Sequence, residues 1–239
     1  MKAGAKLDSS DSQGNSPLHT AAICNASAGI LTRLAGEAGS TELTNRKGNT
    51  PLVEAAINRS LDAAKHLVAL GANAGHANAR GNTGVHAAAA NNDVDTAAVF
   101  LRAGCKADAC NRFGVAPIHA AAEKNSAEMI DVLIRHKCPV DKTNPNTGRS
   151  ALHYAASADA TSAAKCLVKH NADVNLLDND RTTPILLATQ HNSERAASML
   201  LYSNANLNQP DRNGTSALQY AKDANRAGIV DGFTRFLCR

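Results

Sequence analysis

The sequence predicts an all-α solenoid of about seven stacked helix pairs, and two observations favour this fold. A seven-residue string recurs seven times in the 239 residues, and its starts fall 33 or 34 residues apart. The composition, with 44% apolar but only 3% aromatic residues, predicts an interior of aliphatic and small side chains. Because one short helix pair cannot bury its own apolar face, such units stack on their neighbours.

Each string predicts the start of a short first helix. Ser or Thr opens six of the seven copies, and its hydroxyl can accept a hydrogen bond from the first helical turn. Pro follows in four copies, where its fixed φ suits the first helical position; Gly84, Ala151 and Ala217 replace it and should weaken those starts. The strings begin at Ser16, Thr50, Thr83, Ala116, Ser150, Thr183 and Ser216.

A second helix follows each first helix, with apolar residues at helical spacing such as Ile130, Leu133 and Ile134. We predict that these helices end at residues that accept positive φ, namely Gly71, Gly104, Lys137, Asn171 and Asn204. A polar turn, usually with Gly, then leads to the next string. Arg181 replaces that Gly before the sixth string, and an extra residue at 144–146 should reshape the turn before the fifth.

The Thr-Pro-Leu-His-x-Ala-Ala pattern, the 33-residue period and tails such as Ala172-Asp173-Val174-Asn175 resemble the ankyrin repeat. The resemblance implies a right-handed curved array in which hairpin loops project like fingers and the first helices line a concave face. We interpret residues 1–239 as one ankyrin-repeat domain, with repeats starting near residues 11, 45, 78, 111, 145, 178 and 211. Residues 1–10 resemble a partial hairpin of a preceding repeat. We expect a chain cut from a longer protein; a natural start on half a repeat is the alternative.

The histidines do not predict a catalytic or metal site. Four occupy the same place in their strings, a repeat apart, which is too far for ligands of one zinc ion; in the family this imidazole ties a turn to its neighbour. The others are His66, His76, His136, His170 and His191, which we interpret as scattered and without a Cys partner. No nucleotide-binding loop or hydrolase motif occurs. We therefore expect no enzymatic activity, no cofactor and no metal.

The family uses its fingertips and the ends of its first helices for contacts, and we carry these positions over to this chain. Apolar residues at a fingertip suggest an interaction hot spot, although Phe113 folded onto the neighbouring finger is an equal alternative. A row of cations suits an acidic peptide, although ordinary solvated charge is the alternative. The predicted partner-binding residues are Arg46, Lys47, Arg80, Arg112, Phe113, Val115, Glu123, Lys124, Arg149 and Tyr154.

The leading functional hypothesis is a non-catalytic scaffold that binds a peptide or folded protein, of acidic character, on the concave face and fingertips. One alternative is a regulatory or targeting arm of a larger enzyme, channel or transporter. Nucleic-acid binding through the basic fingertips ranks last, because the net charge is only +4 and aromatic stacking platforms are missing.

Four further expectations concern the compartment, the membrane, the oligomeric state and modification. Six cysteines without a CxxC pair favour a reducing, intracellular compartment, cytoplasmic or nuclear. The absence of a run of 18 apolar residues predicts no membrane-inserted helix, and we expect a monomer. Asn175 and Asn208 occupy the hairpin position that an asparaginyl hydroxylase modifies in some ankyrin proteins, which implies two candidate hydroxylation sites.

Overall fold

In a computed structural model of the chain, residues 10–238 are described, and they form fourteen α-helices. The all-α fold class predicted from the sequence is confirmed. The helices group into two compact units, unit 1 ending at Phe113 and unit 2 beginning at Gly114. Apart from Ser10, the partial hairpin predicted at residues 1–10 lies outside the described residues. The boundaries of the single predicted domain and its repeats stay a prediction.

Unit 1 contains three helix pairs, each made of a seven-residue inner helix and a longer outer helix. The inner helices pack side by side, as do the outer helices, and each inner helix also packs on its own outer partner. The helices are α1 (Pro17–Ile23), α2 (Ala28–Ala38), α3 (Pro51–Ile57), α4 (Leu61–Ala69), α5 (Gly84–Ala90) and α6 (Val94–Arg102).

Unit 2 repeats this arrangement four times, again with seven-residue inner helices in a row and their outer partners in a second row. The helices are α7 (Pro117–Glu123), α8 (Ala127–Arg135), α9 (Ala151–Ser157), α10 (Thr161–Lys169), α11 (Pro184–Gln190), α12 (Glu194–Tyr202), α13 (Ala217–Asp223) and α14 (Ala227–Leu237). Among residues 10–238, no helix has the length and apolarity needed to cross a lipid bilayer.

The inner helices begin where the strings predict. The hydroxyl of Thr50 accepts from the backbone N–H of Val53 at 3.3 Å, and Ser16, Thr183 and Ser216 cap in the same way. At Gly84, where Pro is missing, a methyl group built on the glycine would overlap the ring of Phe100. That ring is fully buried, so the glycine makes room for a large side chain of the following outer helix.

The helix ends also follow the sequence. Backbone φ is positive at every predicted stop, from 64° at Asn171 to 90° at Gly104. Arg181 has a φ of 60° in the turn that lacks glycine, a left-handed conformation that costs a side-chain-bearing residue free energy. The turn with the extra residue closes between Asn144 and Arg149, and a bridge between Thr143 and Ser150 extends it. The predicted change in this turn is therefore confirmed.

Small side chains allow the inner helices to approach closely. Pairs of alanines, such as Ala55 with Ala56 and Ala155 with Ala156, are fully buried. Leucines and isoleucines of both helix rows complete the interior, including Leu52, Ile118 and Leu152 at 0–1% exposure. Close-packed aliphatic interiors of this kind fix the helices, and the helices in turn fix the turns between the repeats.

Candidate partner-binding surface

Each turn between repeats is shaped by the side chain of its first residue. In unit 1 the Oδ1 atom of Asn45 accepts from the backbone N–H groups of Lys47 and Asn49, at 3.0 and 3.1 Å. Asn78 repeats this arrangement in unit 1, and Asp178 repeats it in unit 2. Because Asn and Asp side chains imitate a backbone turn in this way, the fingertip conformation is set locally.

Successive turns are also joined to each other by their backbones. In unit 1 the N–H of Arg46 donates to the carbonyl of Gln13 at 3.0 Å, and the N–H of Arg112 donates to the carbonyl of Arg80 at 3.0 Å. In unit 2 the N–H of Arg212 donates to the carbonyl of Asp180 at 3.0 Å. Each link spans one repeat, so the side chains at the fingertips project from a connected backbone.

Buried histidines support the turns from below, as the family resemblance implies. In unit 2 the Nδ1 atom of His153 accepts from the N–H of Ser150 at 3.1 Å, and its Nε2 lies 2.9 Å from the carbonyl oxygen of Thr182. Nε2 therefore carries the proton and donates to this carbonyl. Burial lowers the pKa of His153, which keeps the ring neutral. His19 makes the equivalent pair of contacts in unit 1.

The second repeat lacks this histidine, and a buried carboxylate accepts hydrogen bonds from its turn instead. Val53 stands in the histidine position, and its neighbour Glu54 is buried at 7% exposure. One carboxylate oxygen of Glu54 accepts from the side-chain amides of Asn45 and Asn49, both at 2.8 Å. Sequence reasoning missed this residue, although a lone Glu inside an apolar string is a usable signal.

The predicted cations of unit 1 lie exposed along its fingertips, and we call Arg46, Lys47, Arg80 and Arg112 the basic edge. Among the described residues none of the four makes an ion pair. Asp11 is the one carboxylate within the turn residues 11–15, 45–49, 78–82 and 111–113. The turn residues of unit 1 therefore carry net positive charge, with four cations against the one carboxylate of Asp11.

Two fingertip cations of unit 2, Arg149 and Arg212, have acidic partners. The Nε atom of Arg149 lies 3.2 Å from Oδ2 of Asp178, whose side chain is 1% exposed. Arg212 faces Asp180 at 3.9 Å. Asp178 and Asp211 stand where Asn opens the turns at 45, 78 and 111. The turns that carry the predicted row of cations are therefore less positively charged in unit 2 than in unit 1.

The remaining predicted contact residues have unequal exposure. The ring of Phe113 ends unit 1 and is 61% exposed. In unit 2, Glu123 and Lys124 are exposed at the end of α7, and Val115 is half-buried. Tyr154 is also half-buried: its ring stacks on His119 with centroids 4.9 Å apart, and its hydroxyl accepts from the amide of Asn144 at 3.0 Å. Tyr154 thus supports the turn at 144–149.

The two candidate hydroxylation sites are exposed in unit 2. The Oδ1 atom of Asn175 accepts from the N–H of Asn206 at 2.7 Å, and its Nδ2 donates to the carbonyl of Asn204 at 3.3 Å. The backbone N–H of Asn208 donates to Asn206 Oδ1 at 2.9 Å. Hydroxylation of Asn175 and Asn208 stays a prediction.

The interpretation of His170 as a histidine without a Cys partner is wrong. Its Nε2 lies 2.6 Å from Oδ1 of Asp131, and the Cys166 sulfur lies 3.4 Å both from this oxygen and from the carbonyl oxygen of Ala127, either of which accepts the thiol hydrogen. Burial, the hydrogen bond to Asp131 and its charge raise the pKa of Cys166 to about 11, and the hydrogen bond from His170 is the main cause of the lowered pKa of Asp131. The four-residue spacing of Cys166 and His170 was the available signal, since it places both on one helix face.

Comparisons with known proteins agree with this architecture. The family described as ankyrin repeats (3 copies) matches residues 1–78, 85–178 and 158–233. A Caenorhabditis elegans ankyrin repeat and LEM domain-containing protein 1 homolog is 34% identical over 88 residues, 34% of this chain, and the match spans 12% of that relative's length. The ankyrin repeat domain of Bcl-3 has a TM-score of 0.80 at 21% identity, covering 93% of this chain and 99% of that one. The human ASB11 ankyrin repeat domain has a TM-score of 0.81 at 23% identity, and the match covers 93% of this chain and 98% of that one.

Proposed function

Because this chain belongs to the ankyrin repeat family, whose domains are generally protein-binding modules and typically non-catalytic, we propose that it binds an acidic protein or peptide along the basic edge of unit 1. The exposed, unpaired cations of that edge carry the proposal. Exposed charges of one sign steer an oppositely charged partner and set its orientation. In unit 2, Asp178 and Asp180 lie beside Arg149 and Arg212 and weaken such a field.

The connected turns support the same proposal. Their side-chain and backbone hydrogen bonds hold Arg46, Arg80 and Arg112 on a preformed support, so little backbone freedom is lost on binding. Phe113 follows Arg112 directly and adds an exposed aromatic ring to the end of the edge. An aromatic side chain beside arginines is the composition of interface hot spots. We therefore propose that Phe113 inserts into an apolar site on the partner.

Affinity capture from the native source tests the proposal. Partners captured by the wild-type chain are identified by mass spectrometry, and their dissociation constants are then measured with the double variant Arg80→Glu/Arg112→Glu. Each reversed contact is worth about 1 kcal/mol at an exposed site, so binding should weaken by about tenfold or more. Arg212→Glu, whose arginine already faces Asp180, is the matched control and should leave binding unchanged.

Two results would count against the proposal. Equal binding by the wild-type chain and the double variant would remove the basic edge as the contact surface. Capture that disappears after nuclease treatment would assign the edge to nucleic acid.

Phe113→Ala should weaken binding without changing the thermal melt.

The localisation remains part of the same proposal. Among residues 10–238, the thiols of Cys105 and Cys166 are buried and form no disulfide, and a reducing compartment maintains such side chains. We therefore propose an intracellular site of action, which fluorescence microscopy of the tagged chain in its native cell would test.

A further inference from the structure

Three side chains with metal-ligating atoms converge on the outer helices of unit 2. Cys166 lies in α10 and His170 directly after it, one helical turn further on, and Asp131 reaches them from α8. Their Sγ, Nε2 and carboxylate oxygen atoms all lie within 4.8 Å of one another. This is the one such group of three His, Cys, Asp or Glu residues among residues 10–238.

The donor set has the chemistry of a zinc site. Thiolate sulfur, imidazole nitrogen and carboxylate oxygen are the three zinc donors of proteins, and Ca²⁺ and Mg²⁺ take oxygen donors instead. With bonds of about 2.0–2.3 Å, the donors on one tetrahedral zinc ion lie roughly 3.3–3.7 Å apart. The Asp131–His170 contact is 2.6 Å and the Asp131–Cys166 contact is 3.4 Å. The donor atoms of Asp131 and His170 would therefore have to move apart by about 1 Å, and those of Cys166 and His170, which lie within 4.8 Å of each other, would have to settle at the same spacing.

The surroundings leave one side of the group open. The side chains of His170 and Asp131 are 30% and 33% exposed, which gives an ion access and leaves room for a bound water. Arg135 approaches the other oxygen of Asp131, Oδ2, at 3.9 Å, and its own side chain is 73% exposed. Oδ1 thus faces Cys166 and His170, and the arginine is free to turn into solvent. Lys169 lies near the Cys166 thiol, and its charge favours the thiolate.

We propose that Asp131, Cys166 and His170 bind one zinc ion, with water as the fourth ligand. As the zinc–sulfur bond forms, the thiol S–H bond breaks and its proton passes to solvent. The Nε2–H that donates to Asp131 must also be replaced by a lone pair, so the neutral imidazole carries its proton on Nδ1. The ion would clamp α8 to α10 on the outer helices. This inference is independent of the basic edge and goes beyond the proposed function.

Cobalt titration of the full chain tests the site, because a cobalt–thiolate bond gives a charge-transfer absorption in the near ultraviolet. The exposed cysteines Cys24 and Cys238 are first changed to Ser in every protein, so that they do not contribute thiolates. Two variants each remove one proposed ligand: Cys166→Ser changes a single atom, and His170→Gln keeps a hydrogen-bond donor for Asp131. The matched controls are Cys110→Ser and His136→Gln, which lie outside the group. Circular dichroism melts establish that each variant folds.

We expect one cobalt ion per chain, a thiolate band that one equivalent of Zn²⁺ removes, and a higher melting temperature with Zn²⁺. Each ligand variant should lose the band or bind more than about tenfold more weakly, since losing even an outer-shell partner has an effect of that size. The controls should match the parent. Absence of the band, a band unchanged in either folded ligand variant, or equal losses in the controls would overturn the proposal and leave Asp131 and His170 as a hydrogen-bonded pair.

Discussion

His153→Leu should destabilise unit 2 by removing the connection between two successive turns. The imidazole accepts from Ser150 N–H and donates to the Thr182 carbonyl, and both residues are buried. Leaving each of these two groups unpaired costs about 1–3 kcal/mol, so we expect a loss of about 2–6 kcal/mol in the free energy of unfolding. Leucine itself fits this position, because Leu186 occupies it, fully buried, one repeat later.

The loss should depend on pH in a defined direction. Burial lowers the pKa of His153 below its ordinary value of 6.5. Above pH 6.5 the ring is neutral in both states, and its full contribution to stability is present. As the pH falls below 6.5, the unfolded chain binds a proton before the folded chain does. The contribution of His153 to stability therefore decreases until the pH reaches the lowered pKa of the folded state. The difference in free energy of unfolding between the wild-type chain and His153→Leu should therefore be smaller in acid than near pH 7.

Urea unfolding followed by circular dichroism, near pH 7 and in acid, measures both effects. His191→Leu is the matched control, because His191 is exposed and such surface changes usually stay within about 0.5 kcal/mol. The role assigned to the buried histidine would be refuted if His153→Leu lowered the free energy of unfolding no more than this control does. It would also be refuted if the decrease were the same at both pH values.

Four further changes are tested by thermal or urea unfolding. Gly84→Ala should lower the free energy of unfolding by about 1–3 kcal/mol because its methyl meets the Phe100 ring, whereas Gly36→Ala, with open space in α2, should raise it by about 0.5–1 kcal/mol. Arg181→Gly should raise it by roughly 1 kcal/mol by relieving a φ of 60°. Tyr154→Phe should lower it by about 1 kcal/mol through its lost hydrogen bond.

Local chemistry explains why much of the fold could be predicted. Thr50 caps the helix that Pro51 begins, and Gly104 or Asn171 ends an outer helix, because each preference is decided within a few residues. The extra residue at 144–146 altered its turn for the same reason. The 33-residue period then fixed which helices are neighbours, since a repeat contacts only the adjacent repeats.

The features missed from the sequence depend on contacts between repeats. Arg149 belonged to the predicted row of cations, yet its partner Asp178 lies 29 residues away. Asp131 and His170 are 39 residues apart and meet only because α8 packs on α10. Side-chain rotamers decide whether two such residues come into contact, and a periodic sequence pattern carries no information about rotamers.

The turn at 144–149 shows how the length of a fingertip can vary. The additional residue is contained between Thr143 and Ser150, and α9 still begins at Ala151 with its histidine bridge intact. The link from Asn179 to Thr147 also survives, at 2.9 Å. An ancestral chain could therefore gain or lose loop residues one finger at a time, tuning specificity for new targets while its helical scaffold stays conserved.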